Sequence, residues 1–275
     1  MPLLRRRLLP ALLLPLLGAC TTLDDGLPPK LGQEGKDAVW VPTPDEVVQR
    51  MLEMAGLKPG ERLVDLGSGD GKIPIAAARL GAQARGIEYN PQLVALARRK
   101  ARAAGVLARF DQADVFASDF SEADVVTLYL PPQVNVRLRP TLLAMRPGAR
   151  VVSHDYGIGD WVPDRSEVVT SRDVHLWIVP ARVAGTWTVR IDGEPPLQME
   201  LQPHYQEVEG HVLVDGLRIG LHSGRLTGRA IRFGLPAPGG SLLFTGSTDH
   251  DGPMAGEVLL PGGARRAFTA IRRPA

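Results

Sequence analysis

The chain has 275 residues, which is long for one compact domain and sufficient for two. Its apolar fraction of 44% and its charged fraction of 23% are ordinary for a globular protein, which argues against extensive disorder. The formal net charge is only +2 and no face carries a sustained stripe of Lys and Arg, so the composition gives no support for a nucleic-acid partner.

The first twenty residues differ from the rest of the chain. Three arginines (5–7) precede a short apolar run (8–17), which is too short for a membrane span of about 20 residues and is typical of a secretory signal. The run ends in Leu17-Gly18-Ala19-Cys20, which resembles the lipobox of bacterial lipoproteins, where cleavage precedes a lipidated cysteine. We therefore expect a signal peptide over 1–20 and an exported protein that Cys20 attaches to the periplasmic side of an envelope membrane. The alternative is that this single cysteine is an incidental buried residue.

The rest of the chain divides into three predicted segments. Residues 21–36 show no hydrophobic period and contain several Gly and Pro residues, so a flexible tether is predicted there. From 37 to 183, helical periods alternate with short apolar runs, which is the pattern of βα units around a parallel sheet. From 184 to 275, apolar and polar residues alternate between frequent Gly and Pro residues, which predicts a small all-β domain, a sandwich or a barrel.

The βα region begins with a predicted helix. Thr43 and Glu46 predict a capping box around Pro44 at its start. Val47 and Met51 lie on its apolar face. The strands are expected at 62–66, 84–88, 108–112, 125–130, 149–154 and 175–179, and three more helices at 73–80, 92–104 and 134–145.

A glycine-rich loop (65–71, Asp-Leu-Gly-Ser-Gly-Asp-Gly) joins the first of these strands to the next helix. Its three alternating glycines allow a sharp turn and a close approach to a ligand, and the helix that follows offers free N–H groups. Nicotinamide dinucleotide sites use G-x-G-x-x-G instead, so an NAD-dependent enzyme is disfavoured. Asp65 would repel a pyrophosphate and attract an ammonium group.

Two further acids follow the next two predicted strands. Glu88 ends the second strand and Asp114 follows the third. Because the carboxyl ends of parallel strands meet at one edge of a sheet, Asp65, Glu88 and Asp114 are expected to share one cleft. A carboxylate at Glu88 can accept hydrogen bonds from both hydroxyls of a ribose. The three acids therefore predict a site for a nucleoside that carries an ammonium group.

The same segments resemble the motifs of class I S-adenosylmethionine-dependent methyltransferases, and among them bacterial members related to the mitochondrial-type protein-lysine methyltransferases. The similarity spans about residues 38–182, and the β-rich region resembles an extension found in some bacterial members. The segments that carry it are Trp40-Val41-Pro42-Thr43-Pro44, Asp65–Gly71, Glu88-Tyr89-Asn90-Pro91, Leu128-Tyr129-Leu130-Pro131, Val152-Ser153-His154-Asp155 and Gly159-Asp160-Trp161.

The resemblance implies a Rossmann-like sheet and S-adenosylmethionine as the cofactor. Asp65 would meet its α-amino group, Glu88 its ribose and Asp114 its adenine amine. Thr43 would border its methionine end, and a helix cap is an equally good interpretation of this residue. The cofactor contacts that the resemblance implies are Asp65, Gly67, Ser68, Gly69, Gly71, Glu88, Asn90, Asp114, Val115 and Thr43.

Two residues are candidates for chemistry at the methyl acceptor. The resemblance places the end of the fourth strand where the acceptor meets the methyl group, so Tyr129 is either a participant there or a core tyrosine. His154 follows the fifth strand, where a structural hydrogen bond to Asp155 is the alternative to a catalytic role. The chain lacks the Asn/Asp-Pro-Pro-Tyr motif of enzymes that methylate planar nitrogens. Its histidines show no metal-ligand spacing, so no metal is predicted.

Methyl transfer to a protein lysine or another amine is the predicted activity, with the acceptor itself unidentified. The alternative is an exported lipoprotein that binds S-adenosylmethionine without turnover. The sequence leaves both open, because an in-line displacement at a sulfonium carbon requires alignment and no dedicated nucleophile.

Overall fold

The computed structural model describes residues 30–32, 36–250 and 252–273. The predicted signal peptide with Cys20 lies outside the described residues, as does the predicted tether except for residues 30–32 and 36. None of the helices within the described ranges is long and apolar enough to cross a membrane.

A seven-stranded sheet with four helices forms the first unit of the fold, and five of its strands run parallel. The helices are α1 (Asp45–Met54), α2 (Lys72–Arg79), α3 (Pro91–Ala103) and α4 (Pro132–Leu143). The strands are β1 (Arg62–Leu66), β2 (Gln83–Glu88), β3 (Ala108–Gln112), β4 (Val125–Leu128), β5 (Arg150–His154), β6 (Arg165–Val169) and β7 (Arg172–Ile178). Their order is β3-β2-β1-β4-β5-β7-β6, so the direction of winding reverses between β1 and β4. In open α/β sheets a ligand cleft lies at such a point, outside the carboxyl ends of the strands.

The predicted apolar runs form the buried centre of this sheet, and the predicted Rossmann-like fold is confirmed. All four residues of β4 are buried, and in β1 only Arg62 is exposed. Strands that are covered on both faces need a nearly continuous apolar sequence. The pairs Val125-Val126 and Val151-Val152 therefore predict two of these strands.

The edge of the sheet holds a hairpin, β6 and β7, where a single strand was predicted at 175–179. β7 runs antiparallel to β5, and β6 pairs with β7 alone. β6 has exposed polar positions, as edge strands commonly do, so it lacks an apolar signal. Thr170 and Ser171 turn the hairpin with φ values of 49° and 66°, and neither residue type is a usual marker of such a turn.

The predicted capping box at the start of α1 is wrong, whereas the predicted apolar face is confirmed. The helix begins at Asp45, and Pro44 precedes it without any side-chain cap. Thr43 is therefore one residue too far from the first turn for its hydroxyl to reach the free N–H groups. Its Oγ1 instead lies 3.2 Å from His154 Nδ1. The buried side chains of the helix are Val47, Val48, Met51, Leu52 and Met54.

Nine antiparallel strands form the second unit, which confirms the all-β prediction in its barrel form. They are β8 (Gly185–Ile191), β9 (Leu197–His204), β10 (Glu207–Val214), β11 (Leu217–Gly220), β12 (His222–Thr227), β13 (Ala230–Ala237), β14 (Gly240–Ser247), β15 (Met254–Leu259) and β16 (Arg265–Arg272). Because β8 pairs with both β9 and β16, and β10 with β9 and β12, the strands close on themselves, while β11 pairs with β10 alone. The interior is a packed core around Trp187, Phe233, Phe244 and Phe268.

One end of the barrel contacts the first sheet. The turns at this end follow β9, β12 and β14. The N–H of Ala181 donates a hydrogen bond to the carbonyl of Gly228 at 2.9 Å. His250 Nε2 lies 2.9 Å from the carbonyl oxygen of Met145. The turns after β12 and β14 are therefore joined directly to the chain around the sheet.

Candidate active site

A cleft opens at the carboxyl edge of the first sheet, where the strand order reverses. Asp65, Glu88 and Asp114 come from β1, the end of β2 and the segment after β3, and all three line this cleft, as the sequence predicts. The other predicted cofactor contacts that line it are Thr43, Gly67, Ser68, Gly69, Asn90 and Val115.

Gly71, the remaining predicted cofactor contact, lies at the start of α2 and is not among the residues that line the cleft. It precedes α2 in the left-handed region, with a φ of 81°. A Cβ at this position would lie 2.6 Å from Phe110 Cζ and 2.8 Å from Ala97 Cβ. Glycine is required here because β3 and α3 pack closely against the loop, which the glycine spacing alone does not reveal.

Asp65 is a buried carboxylate with a fractional exposure of 3%. Thr127 Oγ1 donates a hydrogen bond of 2.7 Å to its Oδ1. Burial raises the pKa of Asp65 to about 7, the Thr127 hydrogen bond opposes this rise, and the nearby charges of Glu88 and Asp70 add to it. Within the described ranges no cationic side chain offsets this carboxylate.

Ser68 lines the same cleft, but its hydroxyl lies against Gly86 of β2. Its Oγ is buried and has no hydrogen-bond partner in the described part of the chain. Buried hydroxyls are normally hydrogen-bonded. The uncompensated carboxylate of Asp65 by itself fits a polar ligand that carries an ammonium group.

Glu88 links the glycine-rich loop to the end of β2. Its Oε2 accepts a hydrogen bond from the N–H of Gly69 at 2.9 Å, and its Oε1 accepts one from the N–H of Asn90 at 2.8 Å. Asn90 in turn caps α3, because its Oδ1 accepts from the N–H groups of Gln92 and Leu93 at 2.8 and 3.4 Å. Each oxygen of Glu88 keeps a further lone pair for a ligand hydroxyl.

An N-terminal strap, residues 36–43, contributes one side of the cleft. Trp40 lies so close to the glycine-rich loop that a Cβ on Gly69 would come within 2.7 Å of its Nε1. Lys36 Nζ lies 2.5 Å from Asp114 Oδ2, and its hydrogen bond lowers the pKa of Asp114. The sequence reasoning missed Lys36, because this residue belongs to no helix or strand and falls in the predicted tether.

An aromatic cluster adjoins the cleft at the end of β4. The ring of Tyr129, which lines the cleft, stacks on the ring of His154 with a centroid distance of 3.8 Å. The ring of Tyr156 lies 5.9 Å from that of Tyr129 and is inclined to it by 15°. Burial and the nearby carboxylate of Asp155 raise the pKa of Tyr129, so its hydroxyl stays protonated near neutral pH. Tyr129 therefore offers a ring face and a hydrogen-bond donor rather than a base.

His154 stands behind Tyr129 and does not line the cleft. Its Nδ1 meets the hydroxyl of Thr43, and burial lowers its pKa. The expected hydrogen bond to Asp155 is not formed: His154 Nε2 lies 3.5 Å from Asp155 Oδ2 and has no hydrogen-bond partner among the described residues. The carboxylate of Asp155 is turned instead toward β7, where Arg172 donates to it at 3.0 Å.

The Asp65→Asn substitution is expected to stabilise the ligand-free protein above neutral pH. Folding raises the pKa of this carboxyl from 3.8 to about 7, so the cost of ionising it appears as the pH rises between these values. The amide of asparagine still accepts the Thr127 hydrogen bond and carries no charge. Urea unfolding should show a gain of up to about 4 kcal/mol near pH 8, and less than about 1 kcal/mol near pH 4.

The control for this experiment is Asp45→Asn, which neutralises an exposed carboxyl at the start of α1. It should change the free energy of unfolding little at either pH. Equal destabilisation of the Asp65→Asn protein at both pH values would contradict the burial of an uncompensated charge.

Comparison with known proteins agrees with this geometry. Residues 65–165 match the family model of the ANTKMT methyltransferase domain. A protein-lysine N-methyltransferase from Saccharolobus islandicus (strain REY15A) is 38% identical over 151 residues, which cover 51% of this chain and 92% of that protein. The adenine nucleotide translocase lysine N-methyltransferase from Mus musculus is 37% identical over 137 residues, which cover 46% of this chain and 59% of that protein.

A relative of solved structure indicates which cofactor this family uses. The crystal structure of an RNA methyltransferase from Salinibacter ruber in complex with S-adenosyl-L-homocysteine is 51% identical, with a TM-score of 0.51, and covers 52% of this chain and 96% of that chain. S-adenosyl-L-homocysteine is what remains of S-adenosylmethionine once its methyl group has been transferred. The chain therefore belongs to the S-adenosylmethionine-dependent class I methyltransferases.

Proposed function

We propose that this methyltransferase acts on a lysine side chain of a protein. The Saccharolobus relative, which is matched over 92% of its length, is named a protein-lysine N-methyltransferase. The observation on this chain that carries the proposal is the aromatic cluster of Tyr129, His154 and Tyr156 beside the cleft. Aromatic faces attract an alkylammonium group.

The cofactor is proposed to lie across the three carboxylates of the cleft. Asp65 would pair with its α-ammonium, Glu88 would accept hydrogen bonds from its ribose hydroxyls, and Asp114 from its adenine amine. When bound, S-adenosylmethionine supplies an electrophilic methyl group on a sulfonium. Lys36 would share Asp114 with the adenine amine, because the ion pair leaves further lone pairs on that carboxylate. The remaining proposed contacts are Thr43, Gly67, Ser68, Gly69, Asn90 and Val115.

The acceptor ammonium has to lose its proton before its nitrogen can attack. The half-buried ring of Tyr129, backed by the buried ring of His154, forms a surface of low polarity, which favours the neutral amine and lets the proton leave to solvent as the side chain enters. His154 supports the ring of Tyr129 and the hydroxyl of Thr43, so we assign it a positioning role. Alignment of the amine with the methyl group then supplies most of the remaining rate enhancement.

RNA is the competing acceptor class, because the Salinibacter relative is described as an RNA methyltransferase. This chain has a net charge of only +2, whereas RNA binding depends on neutralising phosphates. It also carries Leu128-Tyr129-Leu130-Pro131 at the end of β4, without the Asn/Asp-Pro-Pro-Tyr motif of planar-nitrogen methylation. Both features favour an amine acceptor.

Incubation of the full chain with methyl-labelled S-adenosylmethionine and total protein from the expression host tests the acceptor class. We expect the label to appear as N-methyl-lysine after acid hydrolysis. Host protein whose lysine amines have been acetylated is the matched control and should take up no label. Label in total host RNA and not in protein, or in neither, would contradict the proposal.

We also propose that Cys20 carries lipid and holds the enzyme on the periplasmic side of an envelope membrane. The support is the N-terminal sequence alone: three arginines (5–7), the apolar run (8–17) and the small residues before Cys20. These residues lie outside the described part of the chain. A short segment would then separate the anchor from the strap at residue 36, which keeps the cleft within reach of proteins at the membrane.

Fractionation of cells that express the Cys20→Ser chain tests the anchor. We expect this variant to leave the membrane fraction, because a serine hydroxyl cannot replace the lipidated thiol. Thr21→Ser, which changes the next residue and keeps the thiol, should stay with the membrane. Retention of the Cys20→Ser protein in the membrane fraction would rule out lipid attachment at this cysteine.

A further inference from the structure

A loop at residues 155–162 extends the aromatic cluster away from the cleft. It begins directly after His154, and its second residue, Tyr156, lies 5.9 Å from the ring of Tyr129. Tyr156 is 39% exposed, whereas His154 is buried, so Tyr156 is the outermost ring of the cluster. The conformation of the 155–162 loop therefore decides where this ring stands relative to the cleft.

The first half of the loop is held by the methyltransferase sheet. The carbonyl of Tyr156 accepts a hydrogen bond of 2.6 Å from Ser153 Oγ and one of 3.4 Å from Asn135 Nδ2. Asn135 Nδ2 also donates to the carbonyl of Gly157 at 3.2 Å. These bonds fix the backbone of two loop residues from the cleft side, and Asn135 itself is fully buried on α4.

The second half of the loop is held by the barrel as well as by the first unit, in which Trp177 Nε1 donates a hydrogen bond of 2.7 Å to the carbonyl of Trp161 and Arg139 pairs with Asp160. Trp161 Nε1 donates a hydrogen bond of 3.0 Å to Gln206 Oε1, and Gln206 Nε2 donates one of 2.6 Å to the carbonyl of Val162. The side chain of Gln206 thus contacts the loop with both its donor and its acceptor. The ring of Tyr205 stacks on that of Trp161 with a centroid distance of 6.0 Å and an angle of 27°.

The turn that carries Gln206 is itself fixed within the barrel. Tyr205 and Gln206 join β9 to β10, and Tyr205 adopts a φ of 54°. The carbonyl of Gln206 accepts a hydrogen bond of 2.7 Å from the N–H of Leu226 on β12, and Gln206 is only 4% exposed. A buried amide with its backbone and side chain both engaged has little freedom to move.

We propose that the β9–β10 turn of the barrel positions the methyl acceptor, with Gln206 as the positioning residue. By holding Trp161 it keeps the 155–162 loop in place, so that Tyr156 forms the outer wall against which the stem of an alkylamine side chain packs. This inference rests on the proposed lysine acceptor. It gives the barrel a role in acceptor binding that the family match, which ends at residue 165, does not supply.

The contacts around Gln206 are distinct from those that hold the barrel in place. The barrel is also joined to the sheet through Gly228, through His250 and through Arg225, which donates to Asp164 at 2.8 Å. Removal of the Gln206 side-chain bonds should therefore loosen the loop while the barrel stays docked. Hydrogen exchange can distinguish these two effects, because it reports the opening of each segment separately.

The full chain with Gln206→Leu tests the proposal, with Arg265→Gln as the matched control. Arg265 pairs with Glu257 on the barrel, next to the turn between β15 and β16, at the end away from the sheet.

In Gln206→Leu we expect amide exchange in residues 155–162 to rise about tenfold or more, and exchange in the glycine-rich loop to stay unchanged. The apparent KM for total host protein, measured as N-methyl-lysine formed, should rise about fivefold or more. The Kd for S-adenosylmethionine should stay within about twofold of the wild-type value, and Arg265→Gln should match the wild type throughout.

Each outcome decides a separate point. Unchanged exchange in residues 155–162, or faster exchange with an unchanged acceptor KM, would overturn the positioning role. A parallel loss of cofactor affinity would show general damage instead, and would overturn it too. If the wild-type enzyme forms no N-methyl-lysine, the proposed lysine acceptor fails, and the exchange measurement alone then decides whether Gln206 holds the loop. Should Gln206→Leu not fold, Trp161→Phe, which removes only the Nε1 donor and part of the ring, should raise exchange and KM in the same direction.

Discussion

The buried carboxylate of Asp65 at the end of β1 is the constraint around which the cleft is organised. Burial of this carboxylate, which accepts one hydrogen bond and pairs with no cationic side chain among the described residues, opposes folding and raises its pKa to about 7. A ligand ammonium would remove that penalty when it binds, so relief of the unfavourable burial would add to the binding free energy.

The rest of the cleft is arranged to keep this edge of the sheet in one shape. Glu88 ties the glycine-rich loop to β2 through two backbone N–H groups, and Asn90 ties the next residues to α3. Trp40 closes over Gly69 at van der Waals distance, where any side chain would collide. A displacement at a sulfonium carbon needs alignment above all, and rigid walls supply it.

Much of this could be read from the sequence, because the signals are local. Val125-Val126 and Val151-Val152 are apolar on both sides, which only a doubly covered strand requires. Asp65, Glu88 and Asp114 fall at the ends of successive strands, and the geometry of parallel sheets brings such ends together. The barrel was visible from its alternation, but alternation alone leaves a sandwich and a barrel equally possible.

What the sequence did not reveal depends on partners far apart along the chain. Threonine commonly caps helices, but α1 begins only at Asp45, after Pro44. The hydroxyl of Thr43 therefore lies against His154 instead. Gly71 looks like a ligand contact, yet Phe110 from another strand is what excludes a side chain there. Lys36 and Gln206 lie in segments with no periodicity of their own, so only the folded chain brings them to Asp114 and Trp161. Local sequence patterns predict helices and strands well. They predict poorly which side chains from different elements contact each other.

Calorimetric titration of the wild-type and Asp65→Asn proteins with S-adenosylmethionine, near pH 6 and near pH 8, tests the central claim most directly. A carboxylate with a pKa of about 7 must be ionised to hold the α-ammonium, so wild-type affinity should fall severalfold from the higher to the lower pH, although part of the cofactor's amino group loses its proton near pH 8. The Asp65→Asn protein should bind at least about tenfold more weakly than the wild type near pH 8 and show little dependence on pH. Equal affinity of the two proteins near pH 8 would contradict the placement of the ammonium group at Asp65.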